Sequence, residues 1–363
     1  MTDRLMYEIS PAELIDRIAI ETLIATRHPD QETQSEALRR LELLHPLEGT
    51  VVGSMAQSQR PVLDAFVAAL QATNRRLWLA ESRLRELDWS ADGKREYFTL
   101  SRSLFLTNVR RSAIKNKIDM LLGIKGSRKK HYDAGAPTAG NAPILSAPHF
   151  AILFDLDGVL VDTEPLKARA HALVAEDIGI KGTTDFSELV GQSLSSIAGQ
   201  IMSESGRAQS SDDYVKRFHA RYAELLSETV PPIAGGPEVI SHLRHSSILV
   251  GVVTSSTAFE CETALRSARY EPSEFDVLIS ADDVGRAKPD PAPYLAGMEA
   301  LLVKPRDCIV VEDSISGVTA ALAAGARKVF HLQGNSAGSE RLECLDDIPK
   351  MPFVRNVPLL DIP

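Results

Sequence analysis

Cysteine is scarce. Only Cys261, Cys308 and Cys344 occur in 363 residues, an odd and scattered set. That excludes a disulfide framework, and none of the three has the spacing of a metal site, so a reducing, cytoplasmic setting is expected. No apolar run approaches the roughly 20 residues needed to span a bilayer, and no membrane partner is expected. The opening Met1-Thr-Asp-Arg-Leu-Met-Tyr7 is charged and lacks the apolar segment of a signal peptide. Positive charge is not in surplus either. The net charge of −9 gives no global reason to expect nucleic acid. Core material is plentiful: 44% of residues are hydrophobic, which at this length serves more than one domain.

The densest signal is residues 155–164, Asp-Leu-Asp-Gly-Val-Leu-Val-Asp-Thr-Glu, directly after the apolar run 150–154. Alternation along a strand puts Leu156 opposite Asp155 and Asp157, so both acids face one point. Like charges that close need a cation or a shared proton to coexist. Gly158 lets the chain turn at once. A polar turn after a strand is the plainer alternative, and the rest of the chain weighs against it.

Three further segments follow in order. Residues 248–253 form a second strand candidate ending in Thr254-Ser255-Ser256-Thr257. Lys288 lies in Gly285-Arg-Ala-Lys-Pro-Asp290, before a helix that Pro289, Pro291 and Pro293 help to start. Residues 308–311 form another strand, ending in Glu312-Asp313-Ser314 with Gly317 just beyond. Ligands of open α/β sheets bind beyond the carboxyl ends of the strands, where this set of carboxylates, hydroxyl and lysine would gather.

These four segments together resemble the motifs of the haloacid dehalogenase-like superfamily, and more narrowly its phosphatase and β-phosphoglucomutase-like branch, over about residues 149–335. The resemblance implies an α/β core with a Rossmann-like parallel sheet, a helical cap inserted at about 165–231, and Mg²⁺-dependent hydrolysis of a small phosphate monoester, a sugar or sugar-acid phosphate. It implies Asp155 as a nucleophile that forms an aspartyl-phosphate, and Asp157 as general acid and then base. Mg²⁺ would be held by Asp155, the backbone carbonyl of Asp157, Asp313, and Glu312 directly or through water. Thr254, with backbone N–H groups near Asp157 and Ser255, would hold the phosphoryl group, and Lys288 would offset charge. Taken singly, a lysine before proline is usually a solvated loop residue, and Glu-Asp-Ser is usually a helix cap.

About ninety residues separate the first two motifs. Leu166, Ala170, Leu173 and Val174 recur at helical spacing, as do Tyr214, Phe218, Tyr222 and Leu225. The expected cap contacts to substrate are Lys167, Gln192 and Ser193, with Ser255 on the core side. The loop Val190–Ser196 reads equally well as a plain helix start, capped by Ser193 or Ser195. Members of the branch that are mutases usually carry histidine where this chain has Lys167, and arginine where it has Leu194. That arginine grips a second phosphate. Hydrolysis is therefore expected, with a hexose-phosphate mutase as the alternative and a scaffolding role of the N-terminal helices as a second one.

Residues 1–130 read as a separate all-α domain. Ser10-Pro-Ala-Glu13 is a capping box with proline at the first helical position. Helices are expected from near Ser10, over Ser35–Leu44, over Pro61–Leu87 and over Lys94–Leu122. The opening Ser10-Pro-Ala-Glu-Leu-Ile-Asp-Arg17 and the closing Ser103-Leu-Phe-Leu-Thr-Asn-Val-Arg-Arg111 resemble a small bacterial helical domain of uncharacterised role. Its end is basic, with Arg102, Arg110, Arg111, Lys115, Lys117, Lys125, Arg128, Lys129 and Lys130. This is either a solvated face or a docking patch for an acidic partner. Residues 131–148, rich in Ala, Pro and Gly, are expected to be a linker that lets the two domains move independently. Residues 336–363 are read as a polar tail.

Overall fold

The computed structural model describes residues 9–53, 55–87, 90–124, 150–180, 194–205, 211–244, 246 and 248–355. The linker at 131–148 and the cap loop with Gln192 and Ser193 lie outside them.

Four helices come first: α1 (Pro11–Arg27), α2 (Gln31–Gly53), α3 (Arg60–Glu86) and α4 (Ala91–Leu121). Ser10 caps α1 by accepting the Glu13 N–H, and Pro11 supplies the pre-set first turn. α2 runs well past the expected end at Leu44 and carries Pro46 inside it. Strand β1 (Ala151–Phe154) follows. Three cap helices come next, α5 (Glu164–Asp177), α6 (Leu194–Ser205) and α7 (Ser211–Leu225), then α8 (Gly236–Arg244). The remaining elements alternate: β2 (Leu249–Val253), α9 (Ala258–Ser267), β3 (Val277–Ile279), α10 (Ala292–Leu301), β4 (Cys308–Glu312), α11 (Ile315–Ala323), β5 (Lys328–Leu332), β6 (Glu340–Leu342) and the short α12 (Pro352–Arg355).

The strands form one parallel sheet in the order β3-β2-β1-β4-β5-β6. From β1 the chain winds outward through β2 to β3, then returns to β4 on the other side of β1. This reversal opens a crevice at the carboxyl ends of β1 and β4. Phe154 is level with Val252 of β2 and Val311 of β4, so the residues that follow each strand emerge side by side.

Alternation along the strands divides the core in two. Ile152, Phe154, Val250, Val252, Ile309 and Val311 face one way, into a cluster with the cap helices, α8 and α9. Ala151, Leu153, Val253, Val277, Ile279 and Val310 face the other, into a cluster with α10 and α11. That second cluster also takes in Leu63, Phe66 and Leu70 of α3 and Ile114 and Ile118 of α4. The expected independence of the N-terminal helices is thereby corrected: the all-α region precedes the sheet in sequence but contributes to its cores, chiefly the second, with Leu79 of α3 in the first.

Polar contacts agree with the packing. Arg75 of α3 is buried and bonded to Ser280 and Asp283. Arg27 pairs with Glu262 of α9 at 2.7 Å, Arg110 with Asp276 at 3.4 Å and Lys117 with Glu299 at 2.5 Å. Arg111 and Lys115 both reach Asp16 of α1. Carboxylates of this chain thus engage Arg110, Arg111, Lys115 and Lys117 of the basic stretch. Lys125, Arg128, Lys129 and Lys130 lie outside the described residues.

The polar tail is corrected as well. β6 extends the sheet, and Leu342, Leu345, Ile348 and Val354 are buried in the cap-side cluster. Two of the three β6 residues are exposed, so no apolar run marked it. Among the described residues no helix is long and apolar enough to cross a membrane.

Candidate active site

The crevice gathers the expected groups. Asp155 leaves the end of β1 and Thr254 the end of β2, while Glu312 closes β4 and Asp313 follows it. Lys288 reaches in from the loop before α10. Its ammonium donates to a carboxylate oxygen of Asp155, to Oε1 of Glu312 at 2.6 Å and to the carbonyl of Val253 at 2.9 Å. Its side chain is only 4% exposed, so these charges interact with little solvent screening.

Glu312 is fully buried and fully engaged. Oε1 accepts from Lys288 and from the Tyr294 hydroxyl at 2.7 Å, and Oε2 from the Asp313 and Ser314 N–H groups and the Ser314 hydroxyl. Burial opposes ionisation, but Lys288 and these donors hold its pKa below the usual value. Gly317 is needed here, since a Cβ would collide with the Glu312 carboxylate. Gly158 has a left-handed φ of +75° and leaves the same kind of room for Asp313.

Asp155 and Asp313 behave in the opposite way. Burial and the surrounding carboxylates push the pKa of Asp155 well up, against the pull of Lys288. Burial and Glu312 raise Asp313 to about 7. Ligand atoms of Asp155, Glu312 and Asp313 all lie within 4.8 Å of one another.

Asp157 sits two residues after Asp155, under the cap. Its Oδ1 accepts from the Thr163 hydroxyl at 2.5 Å and lies 3.2 Å from the Lys167 ammonium and 3.5 Å from the Tyr222 hydroxyl. Its Oδ2 accepts from Ser256 at 3.0 Å and faces the Thr254 hydroxyl at 3.4 Å. Although burial opposes it, Lys167 and the donors Thr163 and Ser256 keep the pKa of Asp157 low.

Thus Asp155, Asp157, Thr254, Lys288, Glu312, Asp313 and Lys167 are brought together, while Ser255 is exposed at the rim. Sequence reasoning missed Thr163, Ser256, Tyr222 and Tyr294. Thr163 stood in the first motif and Ser256 in the second, so proximity could have flagged them. Helical spacing marks Tyr222 only as a residue on the apolar face of a cap helix. It is one, at 2% exposure, but its hydroxyl also points at Asp157.

A family model described as haloacid dehalogenase-like hydrolase matches residues 152–330. The phosphorylated carbohydrates phosphatase of Thermotoga maritima is 34% identical over 181 residues, which cover 50% of this chain and 83% of that protein. The chain belongs to the haloacid dehalogenase-like hydrolases. Hexitol phosphatase B of Escherichia coli is 31% identical over 190 residues, covering 51% of this chain and 85% of the relative. A crystal structure of a haloacid dehalogenase-like hydrolase from Entamoeba histolytica superposes with a TM-score of 0.50 at 24% identity. It covers 57% of this chain and 98% of that one, a likeness of fold. In this chain the hydrolase match begins only after the four N-terminal helices.

Proposed function

We propose that the chain is a Mg²⁺-dependent phosphomonoesterase acting on a small phosphorylated carbohydrate through an aspartyl-phosphate. The observation that carries this reading is the buried Asp155–Lys288–Glu312 arrangement, with Asp313 beside it at the sheet's crevice. The relatives' names, a phosphorylated carbohydrates phosphatase and a hexitol phosphatase, support the substrate class.

The donor set fits a divalent cation. Asp155, Asp157, Glu312 and Asp313 face the ammonium groups of Lys288 and Lys167, so with all four acids ionised the buried site carries two more negative charges than the lysines offset. Asp155 and Asp313 would hold the ion with the Asp157 carbonyl. Glu312, whose oxygens already accept five hydrogen bonds, would act through water or through Lys288. When bound, Mg²⁺ supplies charge neutralisation for the phosphoryl oxygens and keeps Asp155 ionised.

The chain's own groups then divide the work. Asp155 attacks phosphorus, and the bond to the ester oxygen breaks. Asp157 gives its proton to that oxygen, and later takes one from the water that cleaves the aspartyl-phosphate. A phosphate dianion arriving beside Asp157 raises its affinity for the proton it must carry. Thr254 and Lys288 offset charge on the transferring group. Thr163, with Lys167 and Tyr222 of the cap, keeps Asp157 in place, and the cap keeps water out until the ester is seated.

Hydrolysis is favoured over isomerisation by two side chains. Leu194 packs against the apolar cap cluster, and Lys167 is engaged by Asp157 and Glu164, so neither is free to hold a second phosphate. Phosphorylated sugars and polyols assayed with Mg²⁺ should release inorganic phosphate, and a hexose 1-phosphate should not accumulate as the 6-phosphate. Asp155→Asn should reduce release to background while the chain remains folded by circular dichroism. Retention of more than about a tenth of the activity, a loss of only about 1.4 kcal/mol, would remove Asp155 from this role.

A further inference from the structure

The edge strand β3 is gripped at both ends by arginines of the N-terminal helices. Arg110 of α4 meets Asp276 just before the strand. Arg75 of α3 meets Ser280 and Asp283 just after it. The second grip lies on the side of the chemistry.

The turn held by Arg75 is tightly built. Asp283 Oδ2 accepts from both the N–H and the hydroxyl of Ser280, at 2.8 and 2.7 Å. Arg75 adds a two-pronged contact, with Nη1 3.0 Å from the Ser280 hydroxyl and Nη2 on Asp283 Oδ1. Arg75 is 5% exposed, Ser280 0% and Asp283 9%.

This turn in turn holds the loop after β2. The Thr254 N–H donates to the Ile279 carbonyl at 2.9 Å, and the Ala281 N–H donates to the Ser256 carbonyl at 2.9 Å. The Ala258 N–H donates to Asp282 Oδ2 at 2.8 Å. Three alternate residues of the loop are thus pinned to residues 279–282, and two of them, Thr254 and Ser256, aim their hydroxyls at Asp157. The same turn leads within five residues to Lys288.

We infer that Arg75 is a positioning residue, which braces the Thr254–Ala258 loop through the Ser280–Asp283 turn and so makes the N-terminal helices part of the phosphate site. The inference rests on the reading of that loop as the phosphate clamp. The physical basis is that a planar guanidinium presents its donors in a rigid fork that sets two acceptors in one geometry, which an ammonium on a flexible stem does not pre-set. Loss of about 1 Å in placement of a binding group is costly for catalysis.

The test uses the full-length protein with Mg²⁺. The double variant Arg75→Met/Asp283→Asn removes both charges, so no buried ion is left unpaired. Arg75→Lys keeps the charge but not the fork, and Arg110→Met loosens the other end of β3. The double variant should raise KM and the Kd for inorganic phosphate by about tenfold or more. Arg75→Lys should fall between it and wild type, and Arg110→Met should leave both values unchanged. Equal effects of the Arg75 and Arg110 changes, or none from Arg75, would overturn the brace and leave only helix docking. If the wild-type protein hydrolyses no phosphate ester, the functional reading fails and amide exchange decides the brace separately. Faster exchange at 254–258 in the Arg75 variants but not in Arg110→Met supports it, and unchanged exchange there overturns it.

Discussion

Lys288 shows how much can rest on one side chain. It lies between the carboxylates of Asp155 and Glu312, all three nearly out of reach of water. Removing one partner of a buried ionic group strands the others, at a cost of about 3–5 kcal/mol. Lys288→Met should therefore lower unfolding free energy by that order at pH 7 in urea titrations. Without the ammonium both carboxylates are pushed up and folding must protonate them. A carboxylate held above its unfolded pKa loses stability as pH rises, so the deficit is greatest at neutral pH and narrows toward about pH 4. A deficit independent of pH would mean that lost packing, not charge, sets the cost.

Between elements, the cap meets the core through another titrating pair. His219 of α7 faces Glu260 of α9 at 2.6 Å, and Glu260 also closes the capping box of α9 with Thr257. The hydrogen bond to Glu260 raises the His219 pKa above its ordinary value, against burial and with help from the charges of Glu260 and Asp282. A raised folded pKa means the stabilising contact is fully present below about pH 6.5, the unfolded value. It is lost as pH rises through the folded value. With His219 39% exposed, solvent screening limits the pair to roughly 0.5–1 kcal/mol. Amide exchange in α7 should therefore quicken modestly as pH is raised from 6 to 9, after correction for the intrinsic rate. His219→Gln should abolish that change; a variant with the same pH response would place the titrating group elsewhere.

For the whole molecule, the shared core decides what can be cut away. A fragment beginning near Ser146 would keep every catalytic group but would uncover the face of Val277, Ile279 and Met298 that α3 covers. A contiguous apolar patch of this kind favours association. The fragment should therefore aggregate or bind a hydrophobic dye, and recover solubility when residues 1–130 are co-expressed. A monomeric fragment with wild-type stability on size exclusion would show that α3 and α4 are dispensable to the sheet.

Much of the site was legible in the linear chain. The paired acids of 155–157, the hydroxyl at 254, the lysine at 288 and the acids at 312–313 each follow a short apolar run or start a helix. Such local patterns encode where strands end and which residues leave them. Helical spacing likewise placed α1, α3, α4 and the cap helices α5 and α7. Other features had no local signal. β6 is three residues long and mostly exposed, and the reach of Tyr222 to Asp157 depends on where the cap settles. Above all, Arg75 lies 205 residues from Ser280 and 208 from Asp283. Local sequence dictates that α3 has an apolar face and carries an arginine at position 75. Which distant surface that face covers, and which carboxylate meets that arginine, depends on shape and charge matching between elements that only the folded chain brings together.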